Sequence, residues 1–200
     1  MVDFWFEILD YGSQIDILEF LGLVFGIITV WLLIKENILN WPAGIVYVLI
    51  SLVIFYRTKL YADFALHIIF LVLNIYGWYF WVKGKKSDNE ELLVTYTSAK
   101  VMILVSAMCI IGIFVIAEIL KTTDAAVPYW DSATTSLSIG AIWLQARKKI
   151  ESWYYWILVD FLATGIYINR EIYFYAALYG VYIFMAFAGL RAWKKSMQTL

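Results

Sequence analysis

Trp153, Trp156, Asp160 and Thr164 follow one another at intervals of 3, 4 and 4 residues. That spacing puts their side chains on one face of an α-helix. Two indoles and a carboxylate on one stripe form a cage for a flat cation: the rings stack and attract positive charge through their faces, and the acid balances it. The stripe lies inside an apolar run, where an ionisable group is expensive and by default functional. No Lys or Arg falls within a span at that depth, so a simple buried ion pair has no partner. The two Trp also have a plainer use as interface anchors, because they begin just after Arg147-Lys148-Lys149. For Trp153 the two uses are balanced. Trp156, one turn deeper, suits the pocket better.

Other polar groups sit where hydrocarbon disfavours them. Asp63, His67 and Asn74 are spaced i, i+4, i+11. A single His inside a span is a satisfied interior side chain more often than a ligand, with a proton relay as the sharper alternative. Asn74 can serve as interhelical glue. Asp131, Ser132, Thr134, Thr135, Ser136 and Ser138 crowd one segment; Asp131 reads as a helix N-cap. Thr135 and Ser138 lie deeper, where a hydroxyl can bond its own helix. Tyr175, Tyr179 and Tyr182 share a face, as packing or as a lid on a ring opposite the Trp–Trp–Asp stripe. Asn40 and Trp41 precede Pro42, which is tolerated in a first helical turn, and Asn40 can cap that end. Gly22 and Gly26 permit close helix contact. Glu118 reads as interfacial. The expected binding set is Trp153, Trp156, Asp160, Asn40, Trp41, His67, Asn74, Thr135, Tyr175 and Tyr179.

Metal and covalent chemistry have little to work with. One Cys (Cys109) and one His (His67) exclude a Cys-cluster metal site, HExxH chemistry and bis-His haem ligation. A membrane-embedded enzyme would need a nucleophile–base pair or a metal cluster. No catalytic residue, metal or cofactor is expected.

The elements that position these groups must cross a membrane. Of 200 residues, 64% are hydrophobic and 16% charged, against roughly half and a quarter in ordinary globular chains. Mean hydropathy is +0.78. A net charge of −1 gives no basic field for nucleic acid. At about 20 residues per span, the apolar runs predict seven spans near 17–34, 38–56, 62–82, 101–120, 132–147, 152–168 and 172–193. Residues 1–16 lack Lys and Arg, so they are no cleavable signal peptide and read as an interfacial segment. Of the 15 basic residues, 4 fall with the N-terminal tail and even loops and 11 on the other side. The positive-inside rule therefore puts the N-terminus outside and the C-terminus in the cytoplasm.

The chain also matches itself at an offset of 112 residues. Trp31 meets Trp143, Trp41 meets Trp153, Trp81 meets Trp193, and Gly77 meets Gly189. Matched Trp and Gly are harder to obtain by chance than matched Leu and Ile. Lys35 opposite Arg147 marks one cytoplasmic corner in both halves. A displacement of four spans keeps both copies in one orientation. The expectation is an all-α membrane protein with seven transmembrane helices in a 3+1+3 arrangement of two parallel three-helix repeats. In transporters built this way the substrate lies between the halves; a duplicated scaffold without a pathway is the bland alternative. The segments are 1–16 interfacial, 17–82 first repeat, 83–131 loop and connector, 132–195 second repeat and 196–200 tail.

Several runs carry a family resemblance. They are Asn40-Trp41-Pro42-Ala43-Gly44-Ile45, Phe55-Tyr56, Leu60-Tyr61-Ala62-Asp63, and Asn74-Ile75-Tyr76-Gly77-Trp78-Tyr79-Phe80-Trp81. Tyr129-Trp130-Asp131-Ser132 and Trp153-x-x-Trp156-x-x-x-Asp160 belong with them. From about residue 17 to residue 195 the chain resembles the PnuC family of vitamin transporters. The resemblance implies a seven-helix core similar to SWEET sugar transporters, a homotrimer, and no enzymatic activity. It implies facilitated diffusion of an unphosphorylated vitamin across the bacterial inner membrane, with trapping by a cytoplasmic vitamin kinase. The family's binding stripe falls on Trp153, Trp156 and Asp160. Many nicotinamide riboside carriers have Asn where this chain has Asp160, and members often have Gln where it has His67. Nicotinamide riboside is the first expectation and thiamine the second, since both carry a fixed positive charge that a carboxylate suits. A non-transporting accessory subunit is the remaining alternative.

Overall fold

A computed structural model describes residues 16–57, 59, 61–83, 92–123, 125 and 127–198. Each apolar run becomes a helix, because in lipid only internal hydrogen bonding satisfies the backbone. Among the described residues there are seven: α1 Ile17–Ile34, α2 Asn40–Arg57, α3 Tyr61–Lys83, α4 Ala99–Leu120, α5 Pro128–Ala146, α6 Ser152–Asn169 and α7 Tyr173–Gln198. Five of them, α1 to α4 and α7, are long and apolar enough to cross a membrane by length and composition. The other two, α5 and α6, are diluted by serines, threonines and Asp160. The interfacial segment expected over 1–16 lies, apart from Asp16, outside the described residues. Asp16 caps α1, its Oδ1 accepting from Ile17 N–H at 2.7 Å.

Two expected caps differ. α5 starts at Pro128, in the first turn, where its missing N–H costs nothing. Asp131 is therefore inside that turn rather than before it, where its carboxylate faces the positive end of the helix dipole. At the start of α2 it is Asn37 that organises the turn, accepting Leu39 N–H at 2.9 Å through Oδ1. Asn40 donates its amide to Asn37 O at 2.7 Å instead of capping.

Backbone features recur at the 112-residue offset. Glu36 and Lys148 end α1 and α5 with φ of 53° and 49°, and Lys59 and Glu171 follow α2 and α6 with φ of 61° and 59°. These are the left-handed residues that close helices. Helices α2 and α6 begin and end at corresponding positions.

Helix α2 packs on α1 and α3, and α6 on α5 and α7, with α4 laid against α5. Two seams join the sets, α3 to α5 and α1 to α7. Both seams use the same bond. Trp81 Nε1 of α3 donates to Gln145 O at the end of α5 (3.3 Å), and Trp193 Nε1 of α7 donates to Leu33 O at the end of α1 (3.0 Å). Within each set a Trp fills a glycine gap. The Trp41 indole lies over Gly77 and the Trp153 indole over Gly189, so close that a Cβ there would collide. Trp41 meets Trp81 edge-on (5.6 Å, 81°), Trp153 meets Trp193 likewise (5.5 Å, 87°), and Trp81 and Trp193 tilt together at 6.5 Å. Such pairs add about 0.5–1.5 kcal/mol each beyond buried area. In lipid, where hydrophobicity does not drive helices together, close packing of this kind carries association.

The segment before α4 is tied to the α5–α6 loop. Thr95 N–H donates to Lys148 O (3.1 Å), Ile150 N–H donates to Thr95 O (3.2 Å), and the Glu151 carboxylate accepts from Thr97 N–H and Oγ1. At the opposite end, Lys121 bonds Glu118 Oε1 (2.7 Å) and the Tyr129 hydroxyl (2.8 Å), and these bonds hold its ammonium above the ordinary lysine range.

Candidate functional site

Asp160 sits mid-way along α6, nearly buried at 6% exposure. Among the described residues no cationic side chain lies within ion-pair distance of it. A buried acid with no such partner carries its charge only at high cost, and a cation beside it offsets that cost. Tyr179 and Tyr182 lie on α7, the helix packed along α6.

These tyrosines form a ladder. Tyr175 stacks on Tyr167 (5.3 Å, 25°), Tyr167 stacks on Tyr179 (5.4 Å, 29°), and Tyr179 meets Tyr182 edge-on (5.7 Å, 89°). The bare face of Gly26 admits the last rung. Its absent Cβ would lie 2.7 Å from the Tyr182 hydroxyl and 3.6 Å from the Tyr47 ring. Gly22, the other small residue of α1, faces Ile50. The ladder thus runs from the loop before α7 to the level of Asp160.

The two indoles of the α6 stripe have different surroundings. Trp153 is 1% exposed and wedged over Gly189; Trp41, its counterpart, is fully buried over Gly77. Trp156 is half-buried, and its Nε1 donates to Gln145 Oε1 at 3.0 Å. Its ring is therefore both fixed in orientation and partly open, one turn from Asp160. Thr164 donates to Asp160 O in its own helix at 2.7 Å, so its hydroxyl is spent locally.

Residues of the first half lie inside their own three helices. Asn74 donates to Phe70 O (2.8 Å), and its Oδ1 lies against Gly44. His67 Nδ1 bonds Asp63 O (2.9 Å), and its ring sits between Phe55 (4.7 Å) and Phe70 (5.3 Å). Asn40 is 1% exposed. Its Oδ1, Trp41 Nε1, Ser152 Oγ and Trp153 Nε1 are buried without a hydrogen-bond partner. They make two corresponding pairs at the Lys/Arg-rich end. Thr135 is half-buried on α5. Its neighbour Ser136 donates to Cys109 O of α4 at 2.9 Å.

Of the expected set, Tyr175 and Tyr179 meet at Tyr167 between α6 and α7, while Asp160 and Trp156 lie one turn apart on α6. Tyr167 joins the first group and Gln145 of α5 holds Trp156, and neither residue stands out in the sequence. A separate apolar cavity of about 280 Å³ lies between α4 and α6, lined by Met102, Cys109, Leu137 and Tyr155 among others. It does not include Asp160. No group of three or more His, Cys, Asp or Glu able to hold a metal occurs among the described residues.

Comparison with known proteins adds the following. A family model described as "Nicotinamide mononucleotide transporter" matches residues 16–195. The nicotinamide riboside transporter PnuC of Escherichia coli (strain K12) is 26% identical over 92% of this chain and 88% of its own. The riboflavin/roseoflavin transporter RibM of Streptomyces davaonensis is 25% identical over 88% of this chain and 83% of its own. A crystal structure of the vitamin B3 transporter PnuC superposes with a TM-score of 0.76, covering 98% of this chain and 88% of that one at 23% identity. That likeness establishes the all-helical membrane fold.

Proposed function

The chain belongs to the nicotinamide mononucleotide transporter family, and we propose that within it this protein carries unphosphorylated nicotinamide riboside across a bacterial inner membrane by facilitated diffusion. It is a multi-pass membrane transporter and not an enzyme. The pyridinium ring stacks on Trp156 and its charge is balanced by Asp160, with Tyr179 and Tyr175 along the approach. Trp41 and Trp153 act as wedges that set helix spacing, and Asn40, His67, Asn74 and Thr135 shape the surroundings from α2, α3 and α5.

The observation that carries this reading is Asp160, buried midway along α6 with no cationic side chain of the described residues within ion-pair distance. A fixed positive charge on the vitamin supplies the countercharge that this acid lacks among the described residues. The names of relatives point the same way. Thiamine shares the fixed charge and is the second reading.

The wider organisation is part of the proposal. The two helix sets are parallel repeats in a 3+1+3 arrangement, and the Lys/Arg-rich end faces the cytoplasm. Three such chains form the functional unit, and a cytoplasmic kinase traps the vitamin. Support for the repeats comes from the paired left-handed residues and the reciprocal Trp bonds at the seams.

Calorimetry of the purified protein against nicotinamide riboside, thiamine and riboflavin, with uptake into proteoliposomes, tests the reading. Nicotinamide riboside binding most tightly and entering liposomes without an ion gradient is the expected result. Binding of thiamine or riboflavin alone would overturn the substrate, and absence of uptake would overturn transport.

A further inference from the structure

We propose, resting on the carrier reading above, that Gln145 is a positioning residue that links the Trp156 ring to closure of the cytoplasmic end. Gln145 is the penultimate residue of α5 and is 5% exposed. A buried primary amide must find partners. Its side-chain Oε1 accepts from Trp156 Nε1 at 3.0 Å. Its backbone carbonyl accepts twice, from Lys148 N–H at 2.9 Å and from Trp81 Nε1 at 3.3 Å. Trp81 belongs to the other half. Lys148, in turn, places Nζ 2.8 Å from Glu36 Oε2, also of the other half, and 4.7 Å above the Trp81 ring. One residue therefore holds the candidate stacking ring with its side chain and the seam with its backbone.

The corresponding place in the first half isolates what is special here. Leu33 stands where Gln145 stands in the second half, and its carbonyl accepts from Trp193 as Gln145 O accepts from Trp81. The seam bond is thus common to both halves and needs only a backbone oxygen. The side-chain link has no equivalent. The Leu33 side chain has no acceptor, and the position corresponding to Trp156 is Gly44. The amide and the indole therefore occur together in the half that carries Asp160.

The mechanical consequence follows. When the seam parts, Trp81 leaves Gln145 O and Lys148 leaves Glu36, and the end of α5 keeps only its ties to the segment before α4 and to α6. Gln145 is then held from one side only, and the acceptor that orients the Trp156 ring can shift with it. A vitamin that holds the ring favours the closed seam, and a closed seam favours the ring orientation that stacks; such coupling is reciprocal by linkage.

The test is a double-mutant cycle with a second readout that needs no ligand. Gln145→Leu removes the amide and keeps the backbone carbonyl; Trp156→Phe keeps a ring and removes the N–H. Affinity for nicotinamide riboside, by calorimetry, should fall about tenfold in Gln145→Leu. The double variant should lose little beyond the larger single loss. Gln145→Glu, which retains an acceptor, should bind within a fewfold of the parent, and Gln145→Met, which lacks one at similar volume, stands in should Gln145→Leu fail to fold. Closure is read separately in a Cys109→Ala, Ser152→Cys background. Ser152 is fully buried at this end, so alkylation by an impermeant maleimide reports opening. Gln145→Leu and Lys148→Met should each speed alkylation several-fold. Additive losses in the cycle, or acceleration by Lys148→Met but not by Gln145→Leu, would overturn the proposal. Should the parent bind none of the three vitamins, the carrier reading falls, while the alkylation arm still decides the link between Gln145 and closure.

Discussion

Glu36 and Lys148 are joined by an ion pair of 2.8 Å, and they are each other's counterpart at the 112-residue offset. Both follow a helix C-terminus, and both have left-handed backbone. Two corresponding residues of two halves can touch only where the relation between the halves brings a position onto its own image. The pair therefore lies where α1 and α5 end together, with the Lys148 ammonium over the Trp81 ring and Trp193 against Trp81.

The pair makes a first prediction. Lys148 side chain is 8% exposed and that of Glu36 21%, so removing one partner strands the other. Lys148→Met or Glu36→Gln should lower stability by about 3 kcal/mol, read as a drop in apparent Tm in detergent. Because the pair is near its own mirror position, the exchange of both (Glu36→Lys with Lys148→Glu) should recover most of the loss. No recovery would show that the surroundings, not the pairing, set the cost.

Asp160 gives the second. Asp160→Ala should weaken binding of nicotinamide riboside at least tenfold, while an uncharged analogue of the same ring should lose far less. Isothermal titration of both ligands against both proteins checks this. Equal losses would mean that the carboxylate is not balancing charge.

Glycines give the third. At Gly77 and Gly189 a methyl group would meet the Trp41 or Trp153 indole, whereas at Gly165 and Gly180 nothing lies within 4 Å. Gly77→Ala and Gly189→Ala should cost about 1–3 kcal/mol or more through overpacking. Gly165→Ala and Gly180→Ala should be neutral or slightly stabilising, since Ala is the better helix former. Thermal unfolding of the four variants separates the two classes.

A fourth concerns the connector. Glu151 accepts from Thr97 N–H at 2.9 and 3.0 Å and from Thr97 Oγ1 at 2.7 Å. Glu151→Ala should cost about 2 kcal/mol, the scale of hydrogen bonds to a charged acceptor. It should also expose Lys100 and Lys149 to trypsin, visible as faster cleavage on limited digestion.

Much of the fold was legible from hydropathy alone. The spans near 17–34 and 152–168 fall on α1 and α6 to within a residue. The start of α5 was read four residues late, because Pro128-Tyr129-Trp130 carries little hydropathy and the cue was Asp131. The end of α7 was read five residues early, since Lys194 and Lys195 look like a loop but continue the helix into water.

The site was legible in type and less so in detail. Spacing finds Asp160 and Trp156 because a mid-span acid and a ring one turn away need no partner to be noticed. It cannot say that Trp153 faces Gly189, since a helical face does not name what stands opposite. Tyr47 and Tyr167 have no signal of their own among 15 tyrosines; stacking on Tyr175 and Tyr179 picks out Tyr167, and a place beside Gly26 with Tyr182 picks out Tyr47. Gln145 precedes Ala146-Arg147-Lys148 at the end of an apolar run, a place where a polar side chain needs no buried partner and so gives no signal.

The opposite signs of Glu36 and Lys148 carry one more implication. Were this architecture assembled from two identical copies of a three-helix unit, the spot now held by the pair would receive the same side chain twice, and like charges would repel there. Within one polypeptide the two positions are free to differ, so Glu36 and Lys148 attract where two acids or two ammonium groups would repel.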